Sequence, residues 1–149
     1  MSNETIQFDP NAVEILRASM PHVPFDGWCE AALLAGANDC GHDAEAVRTA
    51  FPHGAIDAIA LHSRLADQSM VDAFLELPER PEKVHLTIRQ LVLMRLEAAQ
   101  PDKDAIRRAV SVLAMPVNAK LSAKLLYDTV DSMWRVAGQR DTNFSFYTK

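Results

Sequence analysis

Prolines divide this chain of 149 residues into segments of helical length, and their spacing constrains the fold more than any other feature. Proline lacks a backbone N–H and blocks a helix interior, so helices are expected between the prolines rather than across them. Apolar residues recur at helical spacing within these segments, and β-branched runs bounded by turn signals are absent. The sequence therefore predicts an all-α bundle of six or seven helices. The eight prolines lie at positions 10, 21, 24, 52, 78, 81, 101 and 116.

Two aspartates mark predicted helix starts. Asp9 is expected to cap a first helix that has Pro10 at its first position. Asp43 is expected to cap a short helix that ends near Phe51.

Other boundaries are predicted from prolines and glycines. The stretch PHVPFDGW, residues 21–28, is expected to be a linker because it holds two prolines. Gly36 and Gly138 are expected to end the helices before them, and a kink is expected near Ser63 in the long helix that Pro52 opens.

The charge pattern argues against DNA binding. Three short predicted helices followed by a long one match the order of helix lengths in a helix-turn-helix domain. The net charge, however, is −5. From Gly27 to His62 there are five acidic residues and only one base, Arg48. Phosphates would repel a recognition helix with acidic neighbours, so a helix-turn-helix here is predicted to be degenerate.

No catalytic or metal-binding residue is predicted. The two cysteines, Cys29 and Cys40, are too few for a disulfide scaffold or a zinc site made of thiols, and they indicate a reducing interior. Cys40 and His42 lie close in sequence but lack the glycine-rich elbow and orienting acid of a nucleophilic site. We therefore expect no metal, no cofactor and no enzymatic activity.

Three side chains have two open interpretations. His62 lies beside the apolar stripe of its helix, either as a hydrogen-bonded core residue or as a ligand contact. Tyr127 and Trp134 lie seven residues apart on the last helix, beside an inward stripe that is predicted to include Val130 and Met133. The two rings either dock a partner or widen the core face.

The N-terminal residues carry no recognisable leader. Residues 1–17 have neither a signal-peptide core nor the arginine-rich composition of a mitochondrial transit peptide, and no apolar run approaches the ~20 residues of a membrane span. These features predict a location in a bacterial cytoplasm.

Three stretches of the chain are distinctive: FDGWCEAALLAGA at residues 25–37, FPHGAID at 51–57 and DSMWRVAGQRDTNFSFYTK at 131–149. Together they resemble one known family, the TetR-like lipid-binding accessory proteins of ubiquinone biosynthesis that assist the demethoxyubiquinone hydroxylase. Members of the family usually have Asp after Ala-Gly, where this chain has Gln139, and the polar residues that follow also differ.

The resemblance implies a single TetR-like domain over residues 1–149. Its degenerate helix-turn-helix would cover about residues 11–62 and its lipid-binding bundle about residues 63–149. The family continues into an amphipathic, membrane-contacting helix after Tyr-Thr-Lys, and this helix is expected to be absent here. The resemblance also implies a homodimer that does not bind DNA and that associates peripherally with the inner membrane.

The resemblance further implies a non-enzymatic protein that binds an isoprenoid quinone precursor and presents it to the hydroxylase. The lipid pocket is predicted from inward helix positions, each of which is otherwise plain core. The predicted pocket residues are Ile59, His62, Ile88, Leu91, Leu121 and Leu125. The partner surface maps onto Tyr127, Asp131, Met133 and Trp134. The alternative function is a ligand-responsive transcriptional regulator of the TetR type.

Overall fold

Residues 7–140 are described by a computed structural model, apart from the side chains of residues 139 and 140. The C-terminal motif from residue 141 onward, with its three aromatic residues, lies outside the described residues. Within residues 7–140 the fold is all-α, as predicted, and contains no strand.

Seven α-helices of seven residues or more, and one of four, follow each other along the described part of the chain. Two 3₁₀ turns, Gln100–Asp102 and Pro116–Asn118, each contain a proline and precede a helix. The helices are α1 (Pro10–Ser19), α2 (Val23–Asp26), α3 (Glu30–Asp39), α4 (Ala44–Ala50), α5 (Ala55–Leu75), α6 (Val84–Ala99), α7 (Lys103–Leu113) and α8 (Ala119–Arg140).

Both predicted aspartate caps are confirmed. The Asp9 side chain accepts a hydrogen bond from the N–H of Asn11, and Pro10 is the first residue of α1. The Asp43 side chain accepts from the N–H of Ala46 at the start of α4. Each carboxylate satisfies an N–H that has no partner within the helix, which is why these starts are readable from sequence.

Four predicted boundaries are wrong. Residues 21–28 contain the short helix α2, because Pro24 lies in the first turn, where a missing N–H costs nothing. Gly36 lies inside α3 and Gly138 lies inside α8. No break interrupts α5 near Ser63. Glycine lowers helix propensity by only about 1 kcal/mol, which tertiary packing readily overrides.

The chain divides into two compact units, each with its own packing. The first comprises the described residues through His62, together with Asp104–Ala109. In it α1 packs on α3 and α4, and Ile15, Leu16 and Leu33 are among its buried residues.

The second unit comprises Ser63–Lys103 and the described residues from Val110 onward. In it α6 packs on α8 around a core of larger side chains. The buried residues of this core are Met70, Phe74, Leu91, Met133 and Val136.

Candidate functional site: the exposed face of the last helix

Two of the predicted partner-binding residues expose large rings on α8. Tyr127 is 69% exposed and Trp134 is 56% exposed. Their spacing of seven residues places both rings on one side of the helix. An aromatic side chain brings 150–250 Å² of surface, so two such rings in water form a concentrated apolar area.

Two aliphatic residues extend this area. Leu126 and Val130 are also exposed, and their positions fall on the same side of α8 as the two rings. We call the four residues Leu126, Tyr127, Val130 and Trp134 the α8 patch. Sequence reasoning missed Leu126, whose large exposed side chain follows only from the orientation of the helix.

Val130 was predicted to face inward, and that prediction is wrong. Its side chain is exposed, whereas Leu125 and Met133 are buried. At 100° per residue, position 130 lies about 140° from position 125, while position 129 lies close to it. Thr129, a polar residue that an apolar stripe omits, takes the inward position.

The other two predicted partner residues do not present free side chains on the surface. Met133 is buried and belongs to the core with Met70 and Phe74. Asp131 is half-buried, and its carboxylate pairs with the Nε of Arg135 at 2.8 Å. Met133 thus anchors the helix, and Asp131 borders the patch.

A buried carboxylate holds the inner face of α8. Asp67 on α5 is 5% exposed, and its Oδ1 accepts hydrogen bonds from Thr129 Oγ1 at 2.8 Å and from Arg95 Nε at 3.2 Å. Burial raises the pKa of Asp67 above its ordinary value of 3.8, and the hydrogen bond from Thr129 and the charge of Arg95 partly oppose that shift. This network fixes the rotation of α8 and therefore which residues form the α8 patch.

The four predicted pocket residues of the second unit differ in burial. Leu91 and Leu125 are buried. Ile88 is partly buried and packs against the same core as Leu91. Leu121 is half-buried. All four are aliphatic side chains that are at least partly buried, which suits an apolar ligand and a plain core equally well.

The two predicted pocket residues of the first unit both lie on α5. Ile59 is buried. The ring of His62 meets the ring of Trp28 edge-on, with centroids 5.9 Å apart. Trp28 is in turn fixed by a hydrogen bond from its Nε1 to the carbonyl oxygen of Ala105, at 2.8 Å. His62 therefore has an ordered aromatic neighbour, which suits a core histidine and a ligand contact alike.

A polar cleft of about 260 Å³ lies between the starts of α1 and α4. Asp9, Asp43 and Glu45 are among its lining residues. None of the predicted pocket residues lines it, and its acidic lining does not suit an isoprenoid chain.

Within the described residues, no single helix is both long and apolar enough to cross a membrane. The bent pair Val84–Leu113 and Pro116–Gly138 passes the same length and composition test only when the two are taken together.

Comparison with known proteins connects α8 to one family. The COQ9 family model matches residues 119–149, a segment that contains the whole α8 patch. The chain is 29% identical over 143 residues to the rat protein named ubiquinone biosynthesis protein COQ9, mitochondrial, covering 91% of this chain and 45% of the relative. It is 31% identical to the COQ9 protein of Xenopus tropicalis, and the alignment covers 91% of this chain and 44% of that relative. The resemblance to the COQ9 family is confirmed.

The COQ9 relatives are longer than this chain. A third relative, COQ9 of Schizosaccharomyces pombe, is 26% identical to this chain. The alignment covers 98% of this chain and 58% of the relative. The chain spans about half the length of the curated COQ9 proteins it matches. The names of these relatives assign them to ubiquinone biosynthesis.

The predicted location in a bacterial cytoplasm, at the inner membrane, is corrected by these relatives. The COQ9 proteins of rat, human, Drosophila melanogaster and fission yeast are all named mitochondrial. The prediction relied on the lack of a leader among residues 1–17, and that absence carries no information on the compartment.

Proposed function

We propose that this chain is a non-enzymatic protein of ubiquinone biosynthesis that binds an isoprenoid intermediate and presents it to a hydroxylase. In this proposal the protein is a TetR-like homodimer without DNA binding, and the α8 patch is the surface that docks the hydroxylase. The similarity to COQ9 proteins supports the pathway.

The observation that carries the docking surface is the exposure of Tyr127 and Trp134 on a helix anchored from inside. Binding energy concentrates in a few large, rigid side chains, with Trp and Tyr among the most frequent. Met133 and Val136 of the same helix are buried in the core of the second unit, so the helix presents its rings from a fixed base. A surface that is ordered before binding loses little conformational entropy when a partner docks.

The proposed cargo is supported by hydrophobic chemistry. An isoprenoid tail gains about 25 cal/mol for each Å² of apolar surface that it removes from water. Ile59, His62, Ile88, Leu91, Leu121 and Leu125 are buried or half-buried, and most are aliphatic. We assign the tail to contacts with the four of these side chains that belong to the second unit, Ile88, Leu91, Leu121 and Leu125, and the polar head group to the hydroxylase.

Docking is tested with Trp134→Lys and a matched control. Phe25→Lys makes the same kind of change at an aromatic residue of α2 that is 86% exposed and lies outside the α8 patch. The measurement is a pull-down and a calorimetric titration with the hydroxylase, with helical content checked by circular dichroism. We expect Trp134→Lys to weaken binding by about 30-fold or more and Phe25→Lys to leave it unchanged. Equal binding by both variants would exclude Trp134 from the docking surface.

The cargo is tested by native mass spectrometry followed by organic extraction and lipid identification. We expect an isoprenoid quinone precursor at close to one molecule per chain. A chain that binds the hydroxylase but carries no lipid would remove the cargo from the proposal and leave a docking scaffold.

A further inference from the structure

Three side chains with metal-ligating atoms meet in the first unit. The ligand atoms of Glu14, Cys40 and His42 all lie within 4.8 Å of one another. Glu14 lies on α1, and the other two belong to the turn that follows α3. The sequence predicted no zinc site because its two cysteines are too few thiols, whereas the fold brings Cys40 and His42 together with a carboxylate from 26 residues upstream of Cys40.

The turn after α3 presents Cys40 and His42 on one side. The N–H of His42 donates to the carbonyl oxygen of Ala37 at 2.8 Å, and Gly41 adopts a φ of +81°. These are features of a Schellman-type helix end, which needs the left-handed conformation that glycine adopts without strain. The turn therefore fixes the backbone on both sides of Gly41, and with it the spacing between the thiol and the imidazole.

The crossing of α1 and α3 fixes the position of Glu14. The two helices approach so closely that a Cβ on Gly36 would lie 2.6 Å from the Cα of Ser19. Ile15 and Leu16, which follow Glu14 directly, are buried in the same unit. Glu14 therefore lies on a rigid helix and reaches the turn through its side chain alone.

The spacing of the oxygen and nitrogen atoms suits a shared cation. His42 Nε2 and Glu14 Oε2 lie 3.3 Å apart, which is longer than most N–H···O hydrogen bonds. Zinc bonds of about 2.0–2.2 Å at a tetrahedral angle place two such ligand atoms about 3.3–3.6 Å apart. The pair thus already has the separation that tetrahedral zinc requires.

The chemistry of the three ligands favours zinc over calcium or magnesium. A thiolate and an imidazole are ligands of Zn²⁺, whereas Ca²⁺ and Mg²⁺ prefer oxygen alone. One thiolate and one carboxylate together balance the charge of a divalent cation. The Glu14 side chain is 55% exposed and that of His42 is 22% exposed, so solvent reaches the cluster.

We propose that Glu14, Cys40 and His42 form a site for one Zn²⁺ ion, with the fourth coordination position open to water. The ion ties α1 to the turn between α3 and α4, and the Cys40 thiol loses its proton when the ion binds. The site is separate from the proposed docking and lipid-binding functions and does not depend on them.

The test is a titration of the full chain, stripped of metal by a chelator, with zinc chloride in a calorimeter. Cobalt(II) is used in parallel because a thiolate ligand gives it a near-ultraviolet charge-transfer band. We expect one ion per chain and a cobalt band that Cys40→Ser abolishes. We expect Cys40→Ser and His42→Gln each to weaken zinc binding by more than about 100-fold, since even the loss of a ligand's outer partner costs 10–100-fold.

Two other residues of the first unit provide matched controls. Cys29 is a second thiol outside the cluster, and His22 belongs to a different histidine–carboxylate pair, with Asp39 at 2.6 Å. Cys29→Ser and His22→Gln are expected to bind zinc as the parent chain does. Bound zinc should also protect Cys40, but not Cys29, from alkylation as measured by peptide mass spectrometry.

Any of three results would overturn the site. The first is a folded parent chain, with native circular dichroism, that takes up no zinc. The second is a Cys40→Ser variant that keeps the parent affinity. The third is a Cys29→Ser variant that loses as much affinity as Cys40→Ser.

Discussion

The two units of the molecule are held by different kinds of contact. In the first unit, small residues let backbones approach closely, as Gly36 on α3 does at Ser19 on α1. In the second unit, large apolar side chains fill the core and a buried carboxylate, Asp67, bonds to residues of two other helices. Close backbone approach therefore distinguishes the first unit, and a buried carboxylate with its hydrogen-bond partners distinguishes the second.

The charged side chains of the two units also differ in how far they are buried. In the first unit, three histidine–carboxylate pairs have one or both partners substantially exposed: His22–Asp39, His42–Glu14 and His53–Asp57. Exposed pairs contribute little to folding because water competes for them. In the second unit, Asp67 is buried and costs free energy unless its partners remain in place. The consequences of substitution should therefore differ between the units.

The largest effect is expected at the helix crossing of the first unit. Gly36→Ala would place a Cβ 2.1 Å from Ser19 Oγ and 2.5 Å from its backbone N, so α1 and α3 must move apart. We expect a loss of at least about 3 kcal/mol in the free energy of unfolding, measured by urea denaturation.

Gly138→Ala is the matched control for this steric argument. It makes the same change inside α8, where a Cβ would meet nothing within 4 Å. We expect it to stabilise the protein by about 0.5–1 kcal/mol, because alanine favours the helix. Similar losses for both substitutions would show that close approach does not hold the first unit.

A smaller loss is expected when the buried network of the second unit loses a donor. Thr129→Val keeps the shape of the side chain but removes the hydroxyl that donates to Asp67. We expect a loss of about 1–3 kcal/mol in urea denaturation, the cost of an unsatisfied buried group. Thr129→Ser retains the hydroxyl and should lose less. A Thr129→Val variant as stable as its parent would mean that the network does not position α8.

The smallest effect is expected in the response of stability to acid. Because burial raises the pKa of Asp67 above 3.8, the folded state holds this proton more tightly than the unfolded state. The stabilisation from this proton is fully present below pH 3.8 and is lost as the pH rises through the raised pKa. Asp67→Asn keeps an acceptor oxygen for Thr129 and removes the titration. We therefore expect its stability to fall less than the parent's over the range just above pH 3.8.

Asp131→Asn provides the control for that experiment, because it removes an equal charge from a surface pair with Arg135. The measurement is thermal unfolding across the acid range. Identical pH profiles for Asp67→Asn and the parent chain would assign the acid response to other groups.

Local signals in the sequence determined the fold class and several helix boundaries. The caps at Asp9 and Asp43 and the stops at the prolines depend on backbone groups within one helical turn, so residue identity alone predicts them. The same holds for the resemblance to COQ9, which depends on short motifs. The rings of Tyr127 and Trp134 were also found from sequence, since their spacing places them on one face.

Tertiary packing decided what no local signal contains. Gly36 reads as a helix end but lies inside α3, because a second helix lies against it. Val130 reads as core but is exposed, because Asp67 draws Thr129 inward instead. Glu14 joins Cys40 and His42 only through the crossing of α1 and α3. In each case the deciding partner lies more than 15 residues away along the chain, where helical periodicity no longer carries information.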